Sequence, residues 1–151
     1  MSDRSRRDIL AIGAGTAALA LFGTPGSVSA TPEEAAAALA EFTGGKPTVK
    51  GKIAIDLPEI AENGNTVPLG IKVDSPMTAD DHVTDILVLA AANPRVDLAV
   101  FHLSPMSGRA EVATRIRLAA TEDVTVLAKT SKGVVLQEQK PVKVTIGGCG
   151  G

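Results

Sequence analysis

The sequence predicts an all-β protein, an immunoglobulin-like antiparallel β-sandwich with one short N-terminal helix. Hydrophobic residues recur with a period of two in several short runs after position 48, which is typical of half-buried strands. Turn signals rich in Gly, Pro, Asn and Ser separate these runs, and no long helical pattern lies between them. Strands with one apolar face bury that face by packing as two sheets. The chain has one cysteine and no tryptophan, so the Cys…Trp…Cys core of antibody domains is absent.

The predicted helix comes first in this domain. Thr31 has the position of a capping residue, Pro32 follows at the first helical position, and Glu34 lies three residues after the cap. This combination is typical of a helix start. Apolar residues dominate 35–42, and a Gly-Gly pair at 44–45 ends the pattern.

Seven or eight short strands are predicted after the helix. The clearest one covers 111–118, where apolar or β-branched residues at even positions alternate with charged residues at 111, 115 and 117, as expected of a strand with one buried face. The predicted strands are 49–57, 66–74, 85–91, 97–104, 111–118, 123–129, 134–138 and 141–146. Turns are predicted at 62–65, 75–76, 93–94, 107–108 and 131–133, where Gly, Pro, Asn or Ser occurs.

The first 30 residues have the features of an export signal. Arg6 and Arg7 form a twin-arginine pair, an apolar stretch covers 9–22, and Val-Ser-Ala at 28–30 offers small residues for cleavage after Ala30. That stretch is shorter than the roughly 20 residues that span a bilayer as a helix. We predict a twin-arginine signal peptide over 1–30, and a mature protein that is periplasmic and outside the membrane.

Composition argues against nucleic acid as a partner. The formal net charge is −2, and the chain has no tryptophan, no tyrosine and three phenylalanines. Nucleic-acid binding needs a basic surface for the phosphates and, for single strands, aromatic platforms for the bases. The sequence supplies neither.

The C-terminus carries the feature that most constrains function. Cys149 is the only cysteine, and glycines flank it as Gly147, Gly148, Gly150 and Gly151. Glycine has no Cβ and allows unusual backbone conformations, so we predict a flexible, sterically bare arm over 147–151 that follows a helix-plus-sandwich domain over 31–146. Three extended residues from Ile146 to Cys149 would carry the sulfur roughly 10 Å beyond the fold.

Most ordinary roles for Cys149 do not fit its surroundings. Glycines offer no apolar packing for a buried structural cysteine, and an internal disulfide needs a second cysteine. A prenylation signal needs the cysteine fourth from the end, whereas only two residues follow Cys149. His82 and His102 are isolated in the sequence, so no metal site is predicted. A reactive or covalently loaded thiol, or an intermolecular disulfide, remains.

The sequence predicts no catalytic group. Asp80, Asp81 and His82 lie between a turn and a strand, where polar loop residues are expected, and His102 lies within a strand, facing solvent or a partner. Thiol nucleophiles need a nearby cation, histidine or helix N-terminus, yet the nearest cation in sequence is Lys143. We expect a protein on which enzymes act rather than an enzyme.

Several motifs together resemble a known family. The Gly-Gly-Cys-Gly-Gly end at 147–151, the twin-arginine leader, the stretch Ala-Glu-Asn-Gly-Asn-Thr-Val-Pro-Leu at 61–69 and Val-Asp-Ser-Pro-Met at 73–77 are similar to those of the SoxY family. Members of this family are the sulfur carrier subunits of bacterial thiosulfate oxidation. The resemblance covers essentially the whole chain after the leader.

The resemblance implies a mechanism and partners. Cys149 would carry sulfur intermediates as covalent adducts, with no other cofactor. A SoxAX haem protein would join thiosulfate to the thiol, SoxB would release sulfate, and SoxCD, in many organisms, would oxidise the remaining persulfide sulfur. The resemblance also implies a complex with SoxZ, and self-association.

Two other functions stay open on the residues alone. One is an extracytoplasmic β-sandwich module whose Cys149 forms an intermolecular disulfide, and the other is a thiol enzyme that acts without partners. Apolar positions such as Leu87, Leu89, Val100 and Phe101 could belong to the core or to a partner interface. For a carrier, we expect a bulky β-branched residue at Gly148 or Gly150 to slow the partner enzymes and leave the fold intact.

Overall fold

A computed structural model describes residues 31–148, which form two packed β-sheets with a helix on the outer face of the larger one. This architecture confirms the predicted all-β, immunoglobulin-like sandwich with a short N-terminal helix. The predicted signal peptide over 1–30, with Arg6 and Arg7, lies outside the described residues, as does 149–151. Within 31–148, no helix has the length and hydrophobicity needed to cross a membrane.

Helix α1, Pro32–Thr43, begins and ends as predicted. Thr31 accepts a hydrogen bond from the backbone of Glu34, and the Glu34 side chain accepts one from the backbone of Thr31, at 3.0 Å. This capping box satisfies two donors that helix geometry leaves free. Gly44 ends the helix in the left-handed conformation, with φ of 62°, which glycine adopts without steric cost.

The strands are distributed between a six-stranded and a three-stranded sheet. The elements after the helix are β1 Thr48–Lys50, β2 Ile53–Asp56, β3 Ile60–Asn63, β4 Val67–Val73, β5 Val83–Ala90, β6 Asp97–His102, the short 3-10 helix Pro105–Ser107, β7 Glu111–Ile116, β8 Glu122–Thr130 and β9 Val135–Ile146. The large sheet has the order β1-β9-β8-β5-β6, with β3 also paired to β9, and the small sheet has the order β2-β4-β7.

The main core lies between the two sheets. Its fully buried members include Leu69 on β4, Ile86 on β5 and Leu118 after β7. A second cluster lies on the outer face of the large sheet, where Leu39 and Phe42 of α1 pack over buried residues of β5, β8 and β9. The large sheet is therefore covered on both faces, which explains why most of β5 and β8 is buried.

This arrangement settles the apolar positions that the sequence left open. Leu87 and Leu89 are buried beneath α1, and Phe101 packs partly against the main core. Val100 differs, since it is 47% exposed on β6. It lines a groove of about 660 Å³ between α1 and β6.

Three strand predictions needed correction. The predicted strand 49–57 is two strands, because Gly51 and Lys52 have positive φ angles of 92° and 64° and redirect the chain from the large sheet to the small one. The predicted strands 134–138 and 141–146 form the single strand β9. Strand β3 was not predicted, since its last residues were assigned to a turn at 62–65.

Pro141, the first residue of the predicted strand 141–146, lies inside β9. Lys143 donates its backbone N–H away from β8, to Glu59, and alternation gives Pro141 the same orientation. The missing N–H of Pro141 therefore faces the gap between β1 and β3, where no described strand pairs with β9. Proline is tolerated at such a free edge.

Two pairings depart from the predicted antiparallel arrangement. Strands β1 and β3 each pair with β9 in parallel, whereas the other five pairings are antiparallel. The β3 pairing matters for function because it lies along the last residues of β9, with Asn63 opposite Ile146.

Candidate functional site

The candidate site is the point where the C-terminal segment leaves the sandwich. Strand β9 ends at Ile146, a residue that is 64% exposed, and Gly147 and Gly148 follow. We call residues 146–148 the arm base, because the predicted arm begins there. Cys149 is the next residue in the chain and, with Gly150 and Gly151, lies outside the described residues.

A closed ring of backbone hydrogen bonds holds the arm base. The N–H of Gly64 donates to the carbonyl oxygen of Ile146 at 2.7 Å, and the N–H of Leu118 donates to the carbonyl oxygen of Gly64 at 2.9 Å. The N–H of Gly148 then donates to the carbonyl oxygen of Leu118 at 2.9 Å. The ring joins the turn after β3, the segment after β7 and the end of β9.

Gly64 must be glycine for reasons of space. A Cβ at this position would overlap the carbonyl oxygen of Leu118 and would lie 2.8 Å from the nitrogen of Gly148 and 3.0 Å from Cγ1 of Val144. Nonbonded carbon contacts have their optimum near 3.5–4.0 Å. Gly64 is not among the described glycines with positive φ. Close approach of three chain segments is therefore what excludes a side chain here.

The two glycines of the arm base are equally constrained. A Cβ on Gly148 would overlap the carbonyl group of Gly64 and lie 2.5 Å from the nitrogen of Asn65. A Cβ on Gly147 would overlap the carbonyl oxygen of Ala119 and lie 3.3 Å from its carbonyl carbon. These glycines were predicted to make the arm bare and flexible. Their packing supplies a second reason for glycine at 147 and 148.

The side chain of Asn93 binds the backbone on both sides of Leu118, a member of the ring. Asn93 donates from Nδ2 to the carbonyl oxygen of Arg117 at 2.7 Å and accepts at Oδ1 from the backbone of Ala119, also at 2.7 Å. Asn93 is only 3% exposed, and a buried amide side chain that satisfies two backbone groups fixes their positions firmly. Asn93 therefore holds the segment on both sides of Leu118.

A buried carboxyl group lies beside Asn93. Glu122 accepts a hydrogen bond at Oε2 from the backbone of Ala92 at 2.8 Å, and its Oε1 is buried with no protein partner. Burial raises the pKa of Glu122; the Asp123 charge adds to this shift, and the hydrogen bond from Ala92 opposes it. Ionisation of Glu122 is therefore less favourable in the folded protein than in solvent.

A threonine completes the contact between β9 and the start of β8. Thr121 accepts a hydrogen bond at Oγ1 from the backbone of Val144 at 2.9 Å. The side chain of Thr121 therefore pairs with β9 just before β8 begins, two residues from the arm base.

Neither histidine lies near the arm base. The backbone N–H of His82 donates a hydrogen bond to Oγ of Ser131. Ser131 follows the last residue of β8, whereas Thr121 precedes the first, and the nine strand residues between them span roughly 30 Å. His102 is on edge strand β6, three strands from β9, or about 14 Å at the usual spacing. Within 31–148, no group of three His, Cys, Asp or Glu residues could hold a metal ion.

His102 instead makes a side-chain contact with Asp85 at the surface. Its Nδ1 lies 2.6 Å from Oδ1 of Asp85, and the His102 side chain is 79% exposed. Burial by itself would raise the pKa of Asp85, but hydrogen bonds from Thr84 and His102 and the charges of His102 and Lys129 hold it below its usual value. Asp80 and Asp81 lie in the loop before β5, as predicted, and Lys132 pairs with Asp81 at 2.8 Å.

Sequence reasoning missed Gly64 and Asn93 as parts of the site. Both occur in segments that were predicted as turns, which is correct for the local chain but gives no information about distant neighbours. The feature they share is a small polar turn residue buried or enclosed by other segments. That enclosure exists only in the folded chain.

The fold and the arm base together define a class of protein: an all-β sandwich whose last strand continues into two glycines that pack against the domain. The family model described as "Sulfur oxidation protein SoxY" matches residues 39–149. A solved structure, the sulfur carrier protein SoxY from Chlorobium limicola f. thiosulfatophilum, is 32% identical over 76% of this chain and 98% of that chain, with a TM-score of 0.63. The chain therefore belongs to the SoxY family.

More distant structures share the fold alone. A T24K form of superoxide reductase (neelaredoxin) from Ignicoccus hospitalis is 16% identical over 76% of this chain and 92% of that chain, with a TM-score of 0.55. A crystal structure described as a putative superoxide reductase from Thermotoga maritima is also 16% identical, over 64% of this chain and 93% of that chain, with a TM-score of 0.54. No curated protein compared with the chain gives a significant match.

Proposed function

We propose that this chain is a periplasmic sulfur carrier that binds thiosulfate-derived intermediates covalently on Cys149 and presents them to the enzymes of thiosulfate oxidation. The family match carries this proposal, because it extends to residue 149, the only cysteine of the chain. The first solved relative is itself described as a sulfur carrier protein. The chain would act as a substrate-bearing subunit, with the chemistry supplied by its partners.

The proposed cycle uses the thiol as an attachment point. Thiosulfate joins Cys149 by a new S–S bond, and the thiol loses its proton while two electrons pass to a haem protein of the SoxAX type. Water then cleaves the bond between the outer sulfur and the sulfonate, so sulfate and two protons leave and a persulfide anion remains on Cys149. A hydrolase of the SoxB type would catalyse this step.

The remaining sulfur has two routes. Where an enzyme of the SoxCD type takes electrons from the persulfide sulfur and adds oxygen from water, a second hydrolysis restores the thiol. Without such an enzyme, the outer sulfur must be transferred to another acceptor. In both routes Cys149 itself ends as the thiol with which it began.

The surroundings of Cys149 suit a thiol that must enter several different enzymes. Glycines on both sides present no side chain that could collide with an active-site wall. The arm base follows the last strand of the domain, so the thiol is only three residues from the end of a stable sheet. A rigid domain with a short, slender terminal segment can present one group to many partners.

The resemblance also supports a set of partners and a location. We propose a complex with SoxZ, association between copies of this chain, and transient docking of the enzymes named above. Short-lived docking is favoured because ordering any glycine-rich segment costs conformational entropy at each encounter. The twin-arginine leader over 1–30 supports export to the periplasm.

Intact-mass measurement tests the proposal directly. Protein would be purified without reductant from the periplasm of thiosulfate-grown cells, and its C-terminal peptide fragmented to locate added mass. The expected result is a sulfur or thiosulfonate adduct on Cys149 that reductant removes and that Cys149→Ser lacks. A bare thiol, or only a symmetric disulfide dimer, would favour a module joined to its partner by a disulfide.

A further inference from the structure

We propose that Gly64 is a positioning residue for the carrier arm, which it holds in a retracted state through its own backbone. In that state the arm base is docked, and the arm extends only when the hydrogen bonds at Ile146 and Gly148 break. This inference rests on the proposed carrier function, because it concerns how Cys149 is brought to the partner enzymes.

The geometry of the ring carries the inference. Gly64 donates to Ile146 at 2.7 Å, and the carbonyl group of Gly64 accepts from Leu118, which in turn accepts from Gly148 at 2.9 Å. A side chain on Gly64 would strike the carbonyl oxygen of Leu118 and the nitrogen of Gly148. It would therefore separate the two atoms that hold the end of the arm base. The requirement is mutual, since a side chain on Gly148 would also strike the backbone of Gly64 and Asn65.

The residues that receive the arm base are buried and hydrogen-bonded, whereas the arm base itself is largely exposed. Leu118 has no exposed surface, and Asn93 fixes the residues on either side of it by two hydrogen bonds. By contrast, Gly147 is exposed, Gly148 is half-buried and Ile146 is 64% exposed. The arm base can leave these residues without disturbing any buried side chain.

The length of the arm shows why release matters. While Gly148 is docked, only one residue step, about 3.5 Å, separates it from Cys149. When both bonds break, three steps from Ile146 to Cys149 become available, roughly 10 Å. Docking therefore removes about two thirds of the reach that an enzyme with a deep active site would need.

Residue-resolved hydrogen exchange of the mature chain tests the retracted state. The variants are Gly64→Ala and, as a matched control, Gly70→Ala, which makes the same change on β4, where a Cβ would meet only the Asp56 side chain, at 3.2 Å. In the wild type, the Gly148 amide should exchange well below its intrinsic rate. Gly64→Ala should accelerate it about tenfold or more, the order expected when one or two hydrogen bonds are lost.

Two internal readouts separate positioning from general destabilisation. Val126 lies on β8, which is paired with a strand on each side. Its amide should therefore exchange at the same rate in Gly64→Ala as in the Gly70→Ala control. If Gly64→Ala fails to fold, Gly148→Ala breaks the same contact from the chain end and should give the same local acceleration. Exchange that rises equally at Val126 and Gly148 would overturn the inference.

Kinetics with the sulfate-releasing hydrolase provides the functional readout, using the sulfur-loaded complex as substrate. If only the extended arm can bind an enzyme, the apparent dissociation constant equals the intrinsic one divided by the fraction of molecules in which the arm is extended. Gly64→Ala should therefore lower KM several-fold, with kcat unchanged. An unchanged KM, or an unprotected Gly148 amide in the wild type, would overturn the retracted state. Absence of any sulfur adduct on Cys149 in all variants would instead reject the carrier function, with the exchange data unaffected.

Discussion

The backbone N–H of Gly148 donates a hydrogen bond of 2.9 Å to the carbonyl oxygen of Leu118, a residue with no exposed surface. This contact joins the residue next to Cys149 to the main core of the sandwich. The C-terminal segment is therefore part of the folded domain as far as Gly148. Because of this contact, substitutions at Gly148 are expected to affect the stability of the fold as well as the access of partner enzymes to Cys149.

Gly148→Val is expected to lower the stability of the arm base. Its side chain would collide with the backbone of Gly64 and Asn65, so the bonds at Ile146 and Gly148 would be lost, at a cost of about 1–2 kcal/mol. From the sequence alone, we expected this substitution to leave folding intact. Urea denaturation of the mature chain measures the difference.

Gly150→Val provides the matched control for this prediction. It introduces the same side chain two residues further on, outside the described residues and beyond the two hydrogen bonds that the arm base makes through Ile146 and Gly148. We expect its free energy of unfolding to equal that of the wild type. Equal stability of the Gly148→Val and Gly150→Val variants would contradict the importance of the ring.

Asn93→Ala is expected to cost about 2–3 kcal/mol of stability, because it leaves the carbonyl group of Arg117 and the N–H of Ala119 without their partner. The measurement is the urea midpoint at constant slope. Asn63→Ala serves as the control, since Asn63 is exposed and accepts one hydrogen bond within its own turn, from Asn65. A loss no larger than that of the control would show that Asn93 does not fix the segment.

Glu122→Gln is expected to change how stability depends on pH. Because the pKa of Glu122 is raised in the folded protein, its contribution to stability is fully present below about 4.5, its ordinary value, and is lost as pH rises through the folded pKa. Urea unfolding between pH 4.5 and 7.5, roughly the range in which most proteins are stable, should show the wild type losing stability relative to Gln.

Asp123→Asn tests the cause of this effect. It removes the neighbouring charge that adds to the raised pKa of Glu122, so the wild-type pH dependence should become weaker. A stability difference between the wild type and Glu122→Gln that stays flat with pH, or that reverses in sign, would contradict the interpretation of Glu122.

The elements that the sequence predicted well depend on local signals. The cap formed by Thr31 and Glu34 and the glycine stop at Gly44 lie within one short segment, and α1 begins and ends there. Alternation over 111–118 predicted β7, with Ile116 and Leu118 buried. The division of β9 was wrong because the continuity of a strand past Pro141 depends on which edge its missing N–H faces, and that edge is unpaired only in the folded sheet.

The sequence by itself determined the β-sandwich class, the N-terminal helix and a single cysteine within a glycine-rich end, because periodicity, capping residues and composition are properties of neighbouring positions. Only the tertiary structure decided that Gly64, Leu118 and Gly148 meet, and that Asn93 lies beneath them. Their contacts are hydrogen bonds between backbone groups, which every residue has. No pattern of side chains in the sequence therefore predicts them. The fold brings together chain segments that lie far apart in sequence, and close packing there makes glycine necessary.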